Sequence, residues 1–355
     1  MVRLKDIAQQ AGVSVMTVSK VMRDAPDISL ATKSRVRLLA QQLGYVPDAM
    51  AQALRTRKTR LLGVVIPSIA NPFLVRVIMA IEQRAYEMGF EMVLGQSLNQ
   101  PEREETIVRR LIGRRIDGLL IAPVYRLEPS APIFDELRRR AVPTVLLGHT
   151  APFCADFIAV DSNDVQASQA ATQHLINLGH RRIAFFTGPA SAPWAQQRLE
   201  GYRRALREAQ LASDDRLIFN AGGTIEEGEK AAQQLLAESP GATAIQAVND
   251  LVALGVAKVL LGHGLKIPQA ISLVGFGNCL TAEYGLVPLT TVRLPKFRLG
   301  QTAMQLLERC LRGERPPSQR LSSELIVRAS TAAPAPPAPP SAQAAPQRPT
   351  EVTSD

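Results

Sequence analysis

Cysteine is scarce in this chain of 355 residues, and the three present, Cys154, Cys279 and Cys310, stand far apart in sequence. None has a second cysteine or a histidine at metal-ligand spacing, so neither a disulfide framework nor a metal site is indicated. Long apolar runs are missing as well: no window approaches the roughly 18 uninterrupted apolar residues of a membrane span. The opening residues Met1-Val2-Arg3-Leu4-Lys5-Asp6 lack the apolar core of a signal peptide. The expectation is a soluble, cytoplasmic protein with no membrane partner. Histidine is equally thin. His149, His174, His180 and His263 are scattered, and no Ser-His-Asp or Cys-His pairing can be assembled from them without inventing contacts. The one tight glycine pair, Gly275-Phe276-Gly277, has Leu280 where a dinucleotide fingerprint needs a third small residue, and no phosphate-loop Gly-Lys-Ser/Thr occurs. An enzyme is therefore not expected, and no cofactor is called for.

Apolar side chains are plentiful at 46%, enough at this length for two or three packed domains. The net charge of +9 is unevenly spread. Residues 1–60 hold eleven Lys or Arg against four acids, an excess of seven in one sixth of the chain. Such asymmetry suits a polyanion-binding module, because each basic group near a phosphate displaces a condensed counterion. A solvated basic surface accounts for the charge alone equally well.

The first sixty residues carry more than charge. Leu4, Ile7, Ala8 and Ala11 fall on one stripe of a short helix. Gly12 then frees the backbone for a tight turn, Val13 plugs the core, and Ser14 can cap a second helix running from about Val15 to Met22. Val18, Val21 and Met22 point inward on that helix, leaving Val15, Met16, Thr17, Ser19 and Lys20 outside. An exposed Val15-Met16 pair is unfavourable in water but suits thymine methyls and base edges. A third helix opens at Ser29, with Val36, Leu39, Ala40 and Leu43 at helical spacing, and closes at Gly44. The arrangement is a helix-turn-helix over residues 1–46, whose second helix enters the major groove by its N-terminal end.

From Leu61 the chain alternates short apolar runs with helical stretches, the pattern of an α/β domain with parallel sheets. Candidate strands are 61–66, 91–94, 118–121, 144–147, 182–186, 242–248 and 271–275, and candidate helices include 73–88 and 166–178. The helix-glycine-strand unit recurs at Gly89 and Gly179, as two similar lobes would produce. Residues 332–355 hold seven prolines with much alanine and no periodicity, and are expected to form a disordered tail. Residues 47–60 are too polar and short to fold alone.

Many short motifs resemble one family in order and spacing. Leu4-Lys5-Asp6-Ile7-Ala8, Gly12-Val13-Ser14, Thr17-Val18-Ser19-Lys20-Val21, Leu43-Gly44-Tyr45 and Pro47 look like the LacI-type repressor family. So do Leu61 through Pro67, Asn71-Pro72-Phe73, Asp117-Gly118-Leu119, Leu178 through Ala184, Arg198-Leu199-x-Gly201-Tyr202, Asn249-Asp250 and Pro288 through Val292. The resemblance spans residues 2 to about 331. It implies a small all-α helix-turn-helix domain, a hinge helix at 47–60, and a two-lobed periplasmic-binding-protein-like domain at 61–331. The implied protein is a homodimeric regulator of transcription, a repressor, that binds double-stranded, pseudo-palindromic operator DNA and takes a small effector between its lobes.

The resemblance also implies roles. Val15, Met16 and Lys20 match base-reading positions, while Thr17 and Ser19 offer hydroxyls to phosphates or are simply helix-surface residues. Lysine at position 20 cannot make arginine's planar contact to guanine. Leu54 matches a leucine wedged into the minor groove, although without the family it reads as a packing residue, and Arg57 and Lys58 add phosphate contacts. For the effector the matching residues are Asn71, Phe73, His149, Asp161, Trp194, Arg198, Asn249, Asp250 and Phe276. Phe73 is expected on one lobe and Asp161, Arg198 and Asn249 on the other, with Trp194 in the loop leading to Arg198. The bland readings are a helix cap for Asp250, core for Phe73 and a surface ion pair for Arg198.

Departures from the family pattern bear on the ligand. Gly277-Asn278, Gly148-His149 and Gly223 replace a frequent aspartate, Asp-Arg pair and pocket aromatic respectively. A sugar or sugar derivative is expected, with a modified sugar, a sugar acid or a purine-like ring all compatible with Phe73, Trp194 and Arg198. A secreted solute-binding protein would share residues 61–331 but would leave the first sixty without purpose.

Overall fold

The computed structural model describes residues 2–46 and 58–336. The hinge segment with Leu54 and Arg57, and the tail beyond residue 336, lie outside the described residues. Two compact units divide between Arg60 and Leu61.

In the first unit, three helices follow the apolar spacing: α1 (Leu4–Ala11), α2 (Val15–Met22) and α3 (Leu30–Gln42). Ile7, Ala8, Ala11, Val18, Val21, Val36 and Ala40 form its buried core, with Leu4, Val13 and Met22 packed partly against it. The turn from α1 to α2 needs a left-handed residue, and Gly12 supplies it at φ 61°.

The second unit holds two six-stranded sheets. The first is wholly parallel, in the order β11-β5-β4-β3-β1-β2. Its strands are β1 (Leu61–Ile66), β2 (Glu91–Gln96), β3 (Gly118–Ile121), β4 (Thr144–Leu147), β5 (Ile158–Ser162) and β11 (Gln319–Leu321). The second, in the order β12-β10-β9-β8-β6-β7, comprises β6 (Ile183–Thr187), β7 (Ile218–Asn220), β8 (Ala244–Ala247), β9 (Ser272–Gly277), β10 (Thr290–Arg293) and β12 (Glu324–Ile326). Only the edge pairing of β10 with β12 runs antiparallel among the described residues. The fully buried β3 reads as an unbroken apolar run, and so does β4 after Thr144, because helices cover both faces.

Helices fill the crossovers: α4 (Pro72–Glu87), α5 (Pro101–Gly113) and α6 (Pro132–Arg139) in the first lobe, and α7 (Asp164–Asn177), α8 (Pro193–Glu208), α9 (Ile225–Glu238), α10 (Asp250–Gly262) and α11 (Leu280–Tyr284) in the second. The chain changes lobe after β5, again between β10 and α12 (Lys296–Leu311), and once more between β11 and β12. Thus α12 packs Leu299, Ala303, Met304 and Leu307 against Leu74, Val77, Ile78 and Ile81 of α4 in the first lobe. In the second lobe, α9 and α10 cross at glycines. A Cβ on Gly255 would stand 2.1 Å from the Ile225 carbonyl oxygen, and one on Gly228 would stand 2.5 Å from that of Val252.

The tail boundary needs correction. Ala332 donates its N–H to Ser272 Oγ (3.1 Å) and accepts at its carbonyl from His180 Nε2 (2.9 Å). These bonds hold the chain on the second lobe past 331, so a disordered segment starting at 332 is too early. Proline and alanine content alone cannot foresee partners supplied by a distant strand.

Candidate functional site

Of the five residues expected on the outer side of α2, two are exposed and three are half-buried. Ser14 is the N-cap: its hydroxyl accepts from Thr17 N–H (3.0 Å) and shares a second hydrogen bond with Thr17 Oγ1 (2.9 Å). With Val18 and Val21 locked in the core, Val15 and Met16 are left 47% and 65% exposed at the helix start. Thr17, Ser19 and Lys20 are half-buried. Lys20 is also ion-paired with Asp27, whose carboxyl is held below its usual pKa by that hydrogen bond. The pair is open to solvent on both sides, so it contributes little stability. Lys58 is exposed.

In the second unit the expected effector residues gather around the carboxyl ends of the two sheets, and most of them arrive tied. Asn71 caps α4 by accepting from Phe73 N–H (3.0 Å). Phe73 packs against the cores of both lobes. Asn249 caps α10, accepting from Val252 N–H (2.8 Å) while donating Nδ2–H to the Gly223 carbonyl (3.0 Å). Asp250 is no mere cap. Buried to 1% exposure, it accepts from Thr291 Oγ1 (2.6 Å) and Cys279 N–H (2.7 Å), and burial raises its pKa. His149 Nε2 lies 3.0 Å from Gln197 Oε1, a bond from the first lobe to the second, and 3.9 Å from Asp161 Oδ2.

Three expectations are corrected. Asp161 belongs to β5 and hence to the sheet of the first lobe, the same side as Phe73. There Arg320 grips both its oxygens, Nε at 2.9 Å and Nη2 at 2.8 Å. Trp194 lies in the first turn of α8, not in a preceding loop, because Pro193 starts the helix. Phe276, just past the strand expected at 271–275, sits inside β9 and is 2% exposed.

Arg198 is the centre of the cluster. It is buried, not a surface ion pair. Its guanidinium carbon stacks 3.8 Å from the centroid of Phe276 and 5.1 Å from that of Trp194. Asp164, which sequence reasoning missed, takes Nε at 3.0 Å and Nη2 at 2.9 Å, while Nη1 donates to the Val248 carbonyl at 2.7 Å. Burial pulls the guanidinium pKa down and Asp164 opposes that shift. Asp164 also accepts from Ser162 Oγ (2.6 Å). Its only sequence signal is an acid at the first position of a helix.

Residues 3–48 match the family model for bacterial regulatory proteins, lacI family, and residues 172–331 match a periplasmic binding protein-like domain. The HTH-type transcriptional repressor CytR of Escherichia coli K12 is 33% identical over 332 residues, covering 93% of this chain and 96% of its own length. The chain belongs to the lacI family. The ribose operon repressor of E. coli K12 is 34% identical over 307 residues, covering 86% of this chain and 92% of its own. Among solved structures, the lac repressor dimer bound to operator and the anti-inducer ONPF matches with a TM-score of 0.84 at 29% identity, covering 94% of this chain and 99% of that one. These relatives of the lacI-family chain are regulators of transcription by name, and no helix among its described residues is long and apolar enough to cross a membrane.

Proposed function

We propose that this chain is a cytoplasmic repressor of transcription. It binds pseudo-palindromic operator DNA as a homodimer and changes its affinity when a sugar or sugar derivative enters the cleft between its two lobes. It turns over no substrate. The reading of DNA rests on the exposed Val15-Met16 pair at the start of α2, since apolar side chains placed there find their partners in the major groove. Lys20, Thr17 and Ser19 flank them, and Leu54, Arg57 and Lys58 extend the contact along the hinge.

The observation that carries the effector reading is the stacked, hydrogen-bonded Arg198 between Phe276 and Trp194. An arginine held rigid by aromatic rings, with N–H donors left over, suits the hydroxyl edge of a sugar ring. Asn71, Phe73, His149, Asp161, Asn249 and Asp250 complete the surround. Because Phe73 and Asp161 stand on one lobe and Arg198, Asn249 and Asp250 on the other, a ligand touching both favours one lobe arrangement, and that preference reaches the hinge segments of the dimer.

The test is a panel of free sugars, sugar acids and nucleosides read by thermal shift and by the fluorescence of Trp194, the sole tryptophan. An effector at about 100-fold over its Kd raises stability by roughly 2.7 kcal/mol. It should also shift the affinity for an operator selected from random DNA. A ligand that stabilises the protein but leaves operator affinity unchanged would overturn the coupling.

A further inference from the structure

The cations around the cleft are already matched by buried carboxylates. Arg198 is held by Asp164, which is 0% exposed, and Arg320 by Asp161, which is 7% exposed. Lys296 donates to the carbonyls of Gly277 and Asn278, both at 2.6 Å, in the field of Asp250, which is 1% exposed. Asp250 also acts electrostatically on Arg198, so that guanidinium feels two buried carboxylates. Charges in such surroundings are poorly screened, and their sign decides what else can enter.

We propose that Asp164 is a specificity-determining, positioning residue: by neutralising and orienting Arg198 it makes the site accept an uncharged, hydroxyl-rich ligand and reject carboxylates and phosphates. This rests on the reading of Arg198 as an effector contact and narrows it, excluding the sugar acids that the stacked arginine alone would admit. With Nε and one edge of Nη2 committed to Asp164, and Nη1 to Val248, the guanidinium retains single N–H donors for neutral oxygens. The Nε–Nη2 edge, one of the two paired edges that a carboxylate or phosphate can engage, is already taken by Asp164. An anion at the remaining donors would also lie close to Asp164 with no unmatched positive charge to compensate, and like charges at that range repel strongly in a dry site.

The experiment uses the full-length protein and its isosteric variant Asp164→Asn, titrated with inorganic phosphate and with D-galacturonate beside D-galactose. Trp194 fluorescence is the readout, because it reports on the neighbourhood of Arg198 and is insensitive to anions that bind the basic N-terminal unit. In the wild type, neither anion should produce a saturable change. In Asp164→Asn, phosphate or galacturonate should produce one, with affinity raised about tenfold or more, the factor that about 1.4 kcal/mol of relieved repulsion yields. A role in folding alone would lower Tm without creating an anion response. Should Asp164→Asn fail to fold, Asp164→Ser, which opens the anion's own space beside the guanidinium, carries the same expectation. Saturable anion binding in the wild type, or no gain in a folded Asp164 variant, would overturn the proposal. The underlying reading of Arg198 fails by a different result: a neutral ligand that stabilises the wild type and binds Arg198→Gln equally well.

Discussion

The helix proposed to read DNA, α2, and the cleft proposed to take the effector hold their side chains in opposite ways. On α2 the side chains proposed to meet DNA are exposed or half-buried and loosely held: Met16 is 65% exposed and Lys20 rests on an exposed Asp27. In the cleft the polar groups are buried and committed, with Arg198, Asp161, Asp164, Asn249 and Asp250 each tied to named partners. An α-helix entering a groove needs side chains free to meet an outside pattern, and its rigidity comes from Val18 and Val21 underneath. A cleft that discriminates one small molecule needs its donors aimed beforehand, because every dangling group would pay for ordering at the moment of binding. Substitutions on α2 should therefore alter recognition with little effect on folding, whereas those in the cleft should disturb both.

The largest expected effect lies at Arg198. Truncation to alanine leaves Asp164 charged, buried and unpaired, and breaking a buried pair in this way costs about 3–5 kcal/mol. Chemical denaturation followed by Trp194 fluorescence should show that loss in the second unit. The simpler expectation, that Arg198→Ala leaves the fold untouched, belongs to a surface-exposed contact and does not suit a side chain 8% exposed. Restoration of stability in the double variant Asp164→Leu, Arg198→Leu would show that the loss came from the orphaned charge; an undiminished loss would locate it in packing.

Next comes Gly255→Ala, which tests how tightly the second lobe is built. The added methyl would press on the Ile225 carbonyl at the α9–α10 crossing. Overpacking of this kind costs about 1–3 kcal/mol. Gly262→Ala is the control, since nothing lies within 4 Å of its added Cβ. Equal melting temperatures for the two variants would mean that the helices part easily.

Met16→Ala should act on the other side of the comparison. Losing contact at one base pair costs about 1–3 kcal/mol of discrimination, visible as a changed base preference in selection from random sites, while the melting temperature stays within error. An unchanged preference would remove Met16 from the reading surface.

Much of this contrast was legible in the sequence. The strands at 61–66, 118–121 and 144–147 announce themselves as unbroken apolar runs, and the helix-turn-helix by its stripes and Gly12. The three-residue strands β7, β11 and β12 were not legible, because segments that short carry no period. In the site, residue types were readable but their ties were not. Asp164 and Arg198 lie 34 positions apart and meet only through the packing of α7 on α8. The sequence alone points Asp161 to the wrong lobe because a lobe switch after β5 leaves no local mark. Trp194 could have been placed correctly, since Pro193 signals a helix start.

The smallest expected effect concerns a device that both regions share, the N-cap. Ser14 caps α2 on an exposed surface, and Asn249, half-buried, caps α10 while also holding the Gly223 carbonyl. Ser14→Ala removes the acceptor of Thr17 N–H, but water can replace it there, so the expected loss is about 1 kcal/mol, confined to the first unit. Trp194 fluorescence would miss it because it belongs to the second unit. Amide hydrogen exchange is the fitting measurement. The amide of Thr17 should exchange about fivefold faster, the factor that about 1 kcal/mol of local opening yields, while amides of α10 keep their protection. Asn249→Ala should do more, since it leaves two backbone groups without their partner where water enters less easily. If both variants loosened their helices equally, burial would not be what separates the two regions, and the contrast between a free reading face and a committed cleft would have to rest on charge alone.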